Sequence, residues 1–484
     1  MTTPSIVTFI IYLCALIGFG IVFYRFSETL PDYILGGRKL KSGVAALSAG
    51  ASDMSGWLLL GLPGAVYAAG LNQVWIAVGL SIGAFLNWQY VAARLRMFTE
   101  HLGNSITLPD YLEQRFEDRS HTLRIVTASV ILLFFALYTA SGLVAGGKLF
   151  ESSFGWEYET ALLAGTGVIV VYTFLGGFMA VSWTDFFQGI LMLLALITAP
   201  IMLIFFYENW GTLTAGVASV DPSFMNVYQD MTIIGVLSLL AWGLGYFGQP
   251  HILARFMAIE SVKMVPKAQM IGIGWMVFAL LGAIFVGFTG VAYFADNPLP
   301  DPEFVFLVMV QELFNPWLAG ILLAAILSAV MSTVDSQLLV CSSALAEDFY
   351  KGLFRSSATH GELVWVGRLS VVGVAAVALV IAWNPEAMVL ELVAWAWAGF
   401  GASFGPVILF SLFWRRMTHQ GALAGVITGA VTVLMWNYLE GGLFELYEIL
   451  PGFVLSSLAI YLFSIRSKPP SESVTVTFDE ARSG

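Results

Sequence analysis

Charged side chains are what this sequence has least of. Only 11% of its 484 residues are Asp, Glu, Lys or Arg, against 58% hydrophobic, where soluble domains carry about a quarter charged. That scarcity argues against an ordinary soluble domain. Cysteine is scarcer still. Cys14 and Cys341 lie far apart in separate apolar runs, so neither a disulfide framework nor a thiolate metal site is expected. Walker and dinucleotide-binding fingerprints are missing as well, which argues against ATP-driven transport by this chain alone and against nucleotide-dependent catalysis. The expectation is a protein without covalent chemistry, not an enzyme. A net charge of -11 sets nucleic acid aside as a partner, and no obligate protein partner is evident. Met1 to Ser5 has no charged n-region and no cleavage site, so the first apolar run reads as a retained span.

Long apolar runs are what the chain has instead. Stretches of the length a hydrocarbon core demands fall near 5–24, 43–67, 73–93, 125–147, 159–178, 186–207, 232–254, 270–293, 316–345, 366–384, 388–414, 419–437 and 447–465. They predict an all-α polytopic membrane protein of thirteen transmembrane helices. Alternating the spans places every Lys and Arg except Lys148 on one side, from Arg25 and Arg38 to Lys468 and Arg482. Acids such as Glu157, Asp221, Asp301 and Glu303 fall opposite. The positive-inside rule then puts the N-terminus outside and the C-terminus in the cytoplasm. The polar, Ser-rich segment 467–484 reads as a short disordered cytoplasmic tail.

One stretch breaks the apolar pattern in a way that needs a reason. In Ser48-Ala-Gly-Ala-Ser-Asp53-Met-Ser-Gly-Trp57, a carboxylate and small residues sit inside a span. An ionised Asp near the midplane costs roughly 2.5 to 3.5 kcal/mol on insertion scales, so Asp53 is a functional candidate by default. Irregular backbone survives at that depth only where it lines a cavity, and its freed carbonyls then suit a cation. A second interruption, Trp242-Gly-Leu-Gly-Tyr246-Phe-Gly-Gln-Pro250, lies five spans later. Two broken helices in matching positions point to an inverted repeat with its site at the midplane. The proposed organisation is 1–42 (first span and loop), 43–207 (spans 2–6), 208–414 (spans 7–11), 415–466 (spans 12 and 13) and the tail.

At these residues the sequence resembles the sodium:solute symporters, and within them the bacterial sodium/proline branch. The likeness is carried by Ser48 to Gly64, Tyr138 to Phe150, Trp183 to Asp185, Trp242 to Phe256 and Met331 to Thr333, and it extends over nearly the whole chain. It implies a leucine-transporter-like five-plus-five inverted repeat with helices 2 and 7 broken, alternating access, and L-proline import driven by a sodium gradient across a bacterial inner membrane. It further implies a sodium site from the carbonyls of Ala51, Met54 and Ala329 with the hydroxyls of Ser332 and Thr333, Asp53 and Ser55 being essential nearby. Hard cations prefer such oxygen ligands. For the substrate the resemblance points to Ser55, Gly56, Trp57, Tyr138, Trp242, Tyr246 and Pro250. An aromatic box with hydroxyl tips and exposed helix ends suits a ligand with an apolar ring and a zwitterionic head.

Other residues carry open alternatives. Spacing alone allows Trp242 and Tyr246 to be a packed aromatic stripe, and Ser332 and Thr333 to bond back to their own helix. Asp185 reads either as a helix cap or, by the resemblance, as a residue of cation access or coupling. Asp335 departs from the proline branch, where a hydroxyl is common, and reads either as part of a second cation site or as a carboxylate that simply bonds a neighbouring hydroxyl. Arg38 and Arg255 are candidates for gating against acids at the cytoplasmic mouth, or topology determinants only. Glu113, Glu117 and Asp118 among Arg115 and Arg119 read as a solvated helix face, and His251 as a core residue. Rival functions keep the fold and change the cargo to another small amino acid, a carboxylate or pantothenate, or make the chain a nutrient sensor or, less readily, a channel.

Overall fold

The computed structural model describes residues 3–24, 29–384, 388–436 and 438–483. Arg25, counted above among the basic residues, lies outside them. The chain folds as apolar rods whose backbone hydrogen bonds close within each helix, as a bilayer requires. In chain order they are α1 (Thr3–Tyr24), α2 (Ser42–Asp53, then Trp57–Gly61 and Leu62–Ala69), α3 (Val74–Leu86 through Ala93–His101), α4 (Thr122–Phe154), α5 (Tyr158–Leu175), α6 (Phe178–Phe206), α7 (Ile233–Ala241, Trp242–Gly248 and Pro250–Ala258), α8 (Val265–Tyr293), α9 (Pro316–Ser343, continuing as Ala344–Phe354), α10 (His360–Ile381), α11 (Val389–Phe413), α12 (His419–Trp436) and α13 (Ile449–Arg466). The two pieces of α7 meet at 45°.

Burial runs opposite to a soluble protein. Phe205, Ile233, Met270 and Val380 are exposed, whereas Asp53, Asp185, Asp335, Gln188 and Gln249 are buried. Apolar side chains meet lipid and polar ones face a protein interior, the expected place for costly groups. The broken rods sit at the centre. α3 and α7 touch backbone to backbone, and a Cβ at Gly83 would lie 2.0 Å from the Gly243 carbonyl oxygen. Only glycine permits that approach. At the basic end, the strand-like segments ahead of α2 and after α7 pair in parallel, Leu40 N donating to Ala258 O at 3.1 Å and Glu260 N to Leu40 O at 3.0 Å.

Two expectations fail here. The tail is not unstructured: Glu472–Ser483 is helical, with Val474, Phe478 and Ala481 buried. Phe478 packs 5.4 Å from Phe98 and 4.7 Å beneath the Arg115 guanidinium, and Arg415 pairs with Asp479 at 2.9 Å. A three-to-four spacing of apolar residues hidden in polar composition supplies the docked face. Nor is the charged stretch from Glu113 to Arg119 wholly a solvated face, although Glu117 and Arg119 are exposed. Glu113, Arg115 and Asp118 are buried, because Arg115 Nε donates to Ser411 O at 3.0 Å and Glu113 faces Arg124 at 3.3 Å.

Candidate functional site

The break in α2 follows from its small residues. Met54 leaves helical geometry at φ -84° and ψ 75°, and Ser55 N turns back to Asp53 O at 3.0 Å instead of reaching Ala51 O. The Ala51 carbonyl, freed from the ladder, accepts from Ser332 Oγ at 2.8 Å and lies 3.4 Å from Thr333 Oγ1. Ser332 Oγ is also 3.2 Å from Ala329 O. Ala51, Ala329, Ser332 and Thr333 therefore converge beside Met54 at the negative end of a half-helix. This is an oxygen-rich, buried corner suited to a small hard cation.

Asp53 closes the same half-helix and reaches across to α7. Its Oδ2 accepts from the Tyr246 hydroxyl, and its Oδ1 has no hydrogen-bond partner among the described residues. Its backbone oxygen accepts from Tyr138 Oη at 3.0 Å and Trp57 Nε1 at 3.2 Å. The α2 break, α4 and the α7 break thus meet on one residue. Ser55 Oγ lies 3.4 Å from Trp57 N. Gly56 abuts α4, where a Cβ would fall 2.5 Å from Ala145 Cβ.

The break in α7 is built from glycines and aromatics. Trp242–Gly248 is a tight 3₁₀ turn, Gln249 is extended, and Pro250 starts the second piece at a position where a missing N–H costs nothing. Trp242 lies 6.3 Å from Trp57 and stacks at 5.3 Å on Tyr447, and Tyr246 meets Trp397 edge-on at 5.1 Å. Trp397 Nε1 donates to Trp242 O at 2.7 Å, and Asn87 Nδ2 to Tyr246 O at 2.8 Å. These two donors satisfy carbonyls that the irregular turn exposes. A Cβ at Gly245 would sit 1.9 Å from Trp397 Nε1. Trp397, Tyr447 and Asn87 escaped sequence reasoning. Trp397 had a signal in its Trp395-Ala-Trp397-Ala-Gly399 alternation inside a span.

A buried ionic knot joins four helices just beyond the cation corner. Arg255 Nη2 lies 3.2 Å from Asp185 Oδ2 and 2.5 Å from Ser336 Oγ, and Arg255 Nε donates to Ser48 Oγ at 3.0 Å. Ser48 Oγ in turn donates to Asp185 Oδ2 at 2.6 Å. Ser336 Oγ is 3.4 Å from Asp335 Oδ1. Asp185 Oδ1 and Asp335 Oδ2 have no hydrogen-bond partner among the described residues. Asp185 is therefore no helix cap: α6 begins at Phe178, which places Asp185 two turns inside. Arg38 behaves differently. Its described partners are Met257 O at 2.6 Å, Ser105 O at 2.8 Å, Asn104 Oδ1 at 2.9 Å and Thr99 Oγ1 at 3.1 Å, with no acid among them. It ties the ends of α2, α3 and α7 through carbonyls and amides, and its burial lowers the guanidinium to about 10. At the acidic end, Lys148 bonds Asp301 at 2.9 Å and Glu303 at 2.7 Å, while Glu303 accepts from Val389 N and Leu390 N at 3.2 Å. His251 is buried between Phe135 and Tyr138.

With this geometry in place, known proteins offer a comparison. The sodium:solute symporter family profile matches residues 33–429. The chain is 53% identical to the sodium/proline symporter of Escherichia coli (strain K12) over 487 residues, covering 99% of this chain and 97% of that one. It is also 53% identical to a high-affinity proline transporter of Bacillus subtilis (strain 168) over 464 residues, covering 95% and 98%. A solved Na+-coupled sialic acid symporter, captured substrate-bound and outward-open, superposes with a TM-score of 0.83 at 19% identity over 97% of this chain and 99% of that one, which speaks for the fold.

Proposed function

Because the chain belongs to the sodium:solute symporter family, we propose that it imports L-proline together with sodium by alternating access. The protein is a multi-pass membrane protein of the leucine-transporter-like inverted-repeat fold, and we place it in a bacterial inner membrane with its basic face in the cytoplasm. The observation that carries the reading is the pair of breaks joined at Asp53. Carbonyls and hydroxyls gather at the end of the first half of α2, and Tyr246 of the α7 break holds the Asp53 carboxylate.

Sodium is cargo here, taken by Ala51, Met54, Ala329, Ser332 and Thr333. Filling that corner opposes the negative helix end and stiffens the break, so Asp53 is held where Tyr246 and Tyr138 can meet it. Proline then binds against Trp57, Trp242, Tyr246 and Tyr138. Ser55 and Gly56 line the turn, and the positive end of the helix starting at Pro250 faces the carboxylate. Each ligand must raise the other's affinity by the same factor. Arg255 with Asp185 forms the inner closure, and Arg38 braces it.

With both carboxylates ionised, Asp185 and Asp335 against Arg255 carry one net negative charge in a buried space. That charge supports a second cation position. Replacing Asp335 by Ser is expected to lower the Hill slope for sodium in uptake assays; an unchanged slope and half-saturation would remove the second ion.

The test of the main reading is uptake of radiolabelled L-proline into proteoliposomes with and without an inward sodium gradient. Uphill, sodium-dependent accumulation is expected. Correctly inserted protein that accumulates none removes proline and returns the cargo to another small amino acid, a carboxylate or pantothenate. Binding without flux would identify a sensor.

A further inference from the structure

A narrow cleft with a free volume of about 20 Å³ lies along one wall of α9, between the ionic knot and the basic face. Pro250, Arg255 and Ser336 line its deep end, Ser343 its middle, and Thr107 and Asp348 its outer end. Twelve residues separate Ser336 from Asp348, about 18 Å along a helix. Much of the intervening lining is aliphatic, including Ile131, Leu339 and Val340. A sodium ion leaving the site must cross that distance in surroundings that solvate it poorly, which is costly without an anionic or dipolar partner on the way.

Asp348 has the features of such a partner. It is 1% exposed. Its Oδ1 is held by Arg124 Nε at 2.8 Å and Thr107 Oγ1 at 3.0 Å, and its Oδ2 has no hydrogen-bond partner among the described residues. Leaving a buried carboxylate oxygen unsatisfied is expensive, so the free oxygen of this cleft-lining residue calls for a ligand. The charge balance has the same sign. Arg124 is shared among Asp348, Glu113 at 3.3 Å, Glu347 at 3.5 Å and Asp110 at 3.8 Å. The further cations are Lys351, 2.7 Å from Glu347, and the half-exposed His121, 2.9 Å from Glu113. Carboxylates outnumber the permanent cations, and the surplus can be met by a monovalent cation. Among the described residues no three acids, histidines or cysteines converge as a tight metal site would need. Ser343, whose hydroxyl donates to Val340 O at 2.7 Å, offers lone pairs between the two ends.

We propose that Asp348 Oδ2 is a sodium release station on the cytoplasmic exit path, receiving the ion after it leaves the Ser332 and Asp335 region and before it reaches the cytoplasm. The inference rests on the sodium-import reading above. It assigns Asp348 a role toward internal sodium and none toward external sodium.

The experiment is radiolabelled sodium exchange and proline uptake in right-side-out proteoliposomes preloaded with graded sodium. Asp348→Asn is expected to raise the internal sodium concentration for half-inhibition by about tenfold, in line with losing a charged ligand. The external half-saturation should stay within about twofold and Asp348→Glu should recover the wild-type value. Ser343→Ala, which leaves the Arg124 cluster intact, should shift internal sodium in the same direction by about threefold. Equal shifts on both sides, or none, overturn the station. If Asp348→Asn does not insert, an unchanged internal dependence in Ser343→Ala overturns it. Wild-type protein that exchanges sodium but ignores proline removes only the cargo assignment and leaves this test standing.

Discussion

The two broken helices occupy equivalent places in the two halves of the repeat, yet they are broken by different means and expose opposite chemistry. In α2 the ladder opens after a run of Ser, Ala and Gly, and the end that faces the centre is a C-terminus, with Ala51 O released to Ser332 and Thr333. In α7 the ladder opens at glycines and restarts at Pro250, so an N-terminus faces the centre, walled by Trp242, Tyr246 and Trp397. Inversion of the repeat turns the two inner half-helices end for end. One topology therefore turns a negative helix end and a positive helix end toward the same centre.

Breaking the link between the two should have the largest effect. Asp53→Asn keeps the shape but removes the charge that Tyr246 meets, and sodium-driven uptake is expected to fall about 100-fold, read as initial rate normalised to inserted protein. Tyr246→Phe keeps the ring and loses the donor. It should weaken sodium and proline together by about tenfold, since linkage is reciprocal; movement of only one would show that the hydroxyl does not couple them. Ser332→Ala separates the breaks from the sodium side. The sodium half-saturation should rise about tenfold, while proline binding at saturating sodium moves less than about twofold. Trp397→Phe separates them from the other side and is the mildest. It removes the donor to Trp242 O, so proline affinity should drop about threefold to fivefold with sodium nearly unchanged, by titration of each ligand with the other saturating.

Much of the site could be read before any fold was known, for a physical reason. A carboxylate in an apolar span is too costly to be incidental, so Asp53 announces itself, and Gly and Pro inside a span mark irregular backbone wherever they occur. Residues whose importance comes from whom they meet gave weaker signals. Asp185 looked like a terminal cap because hydropathy places the start of α6 too late; the helix begins at Phe178 and carries the acid to Arg255, 70 positions away in sequence. Asn87 and Trp397 are ordinary span residues until they reach the carbonyls of Tyr246 and Trp242. The charges around Arg115 and Glu113 matched a solvated face by composition, and became buried once Ser411, Arg124 and the C-terminal helix closed over them.

The local order of residues settles where a helix can cross and where it must break, because both depend on transfer and hydrogen-bond costs paid residue by residue. It cannot settle which atoms left over at one break find partners at another. That Ala51 O meets Ser332, that Asp53 meets Tyr246, and that Asp348 meets Arg124 and Thr107 are outcomes of packing distant segments at close range. Hydrogen bonds and ion pairs act only over a few ångströms, and only the folded chain brings these groups within that range.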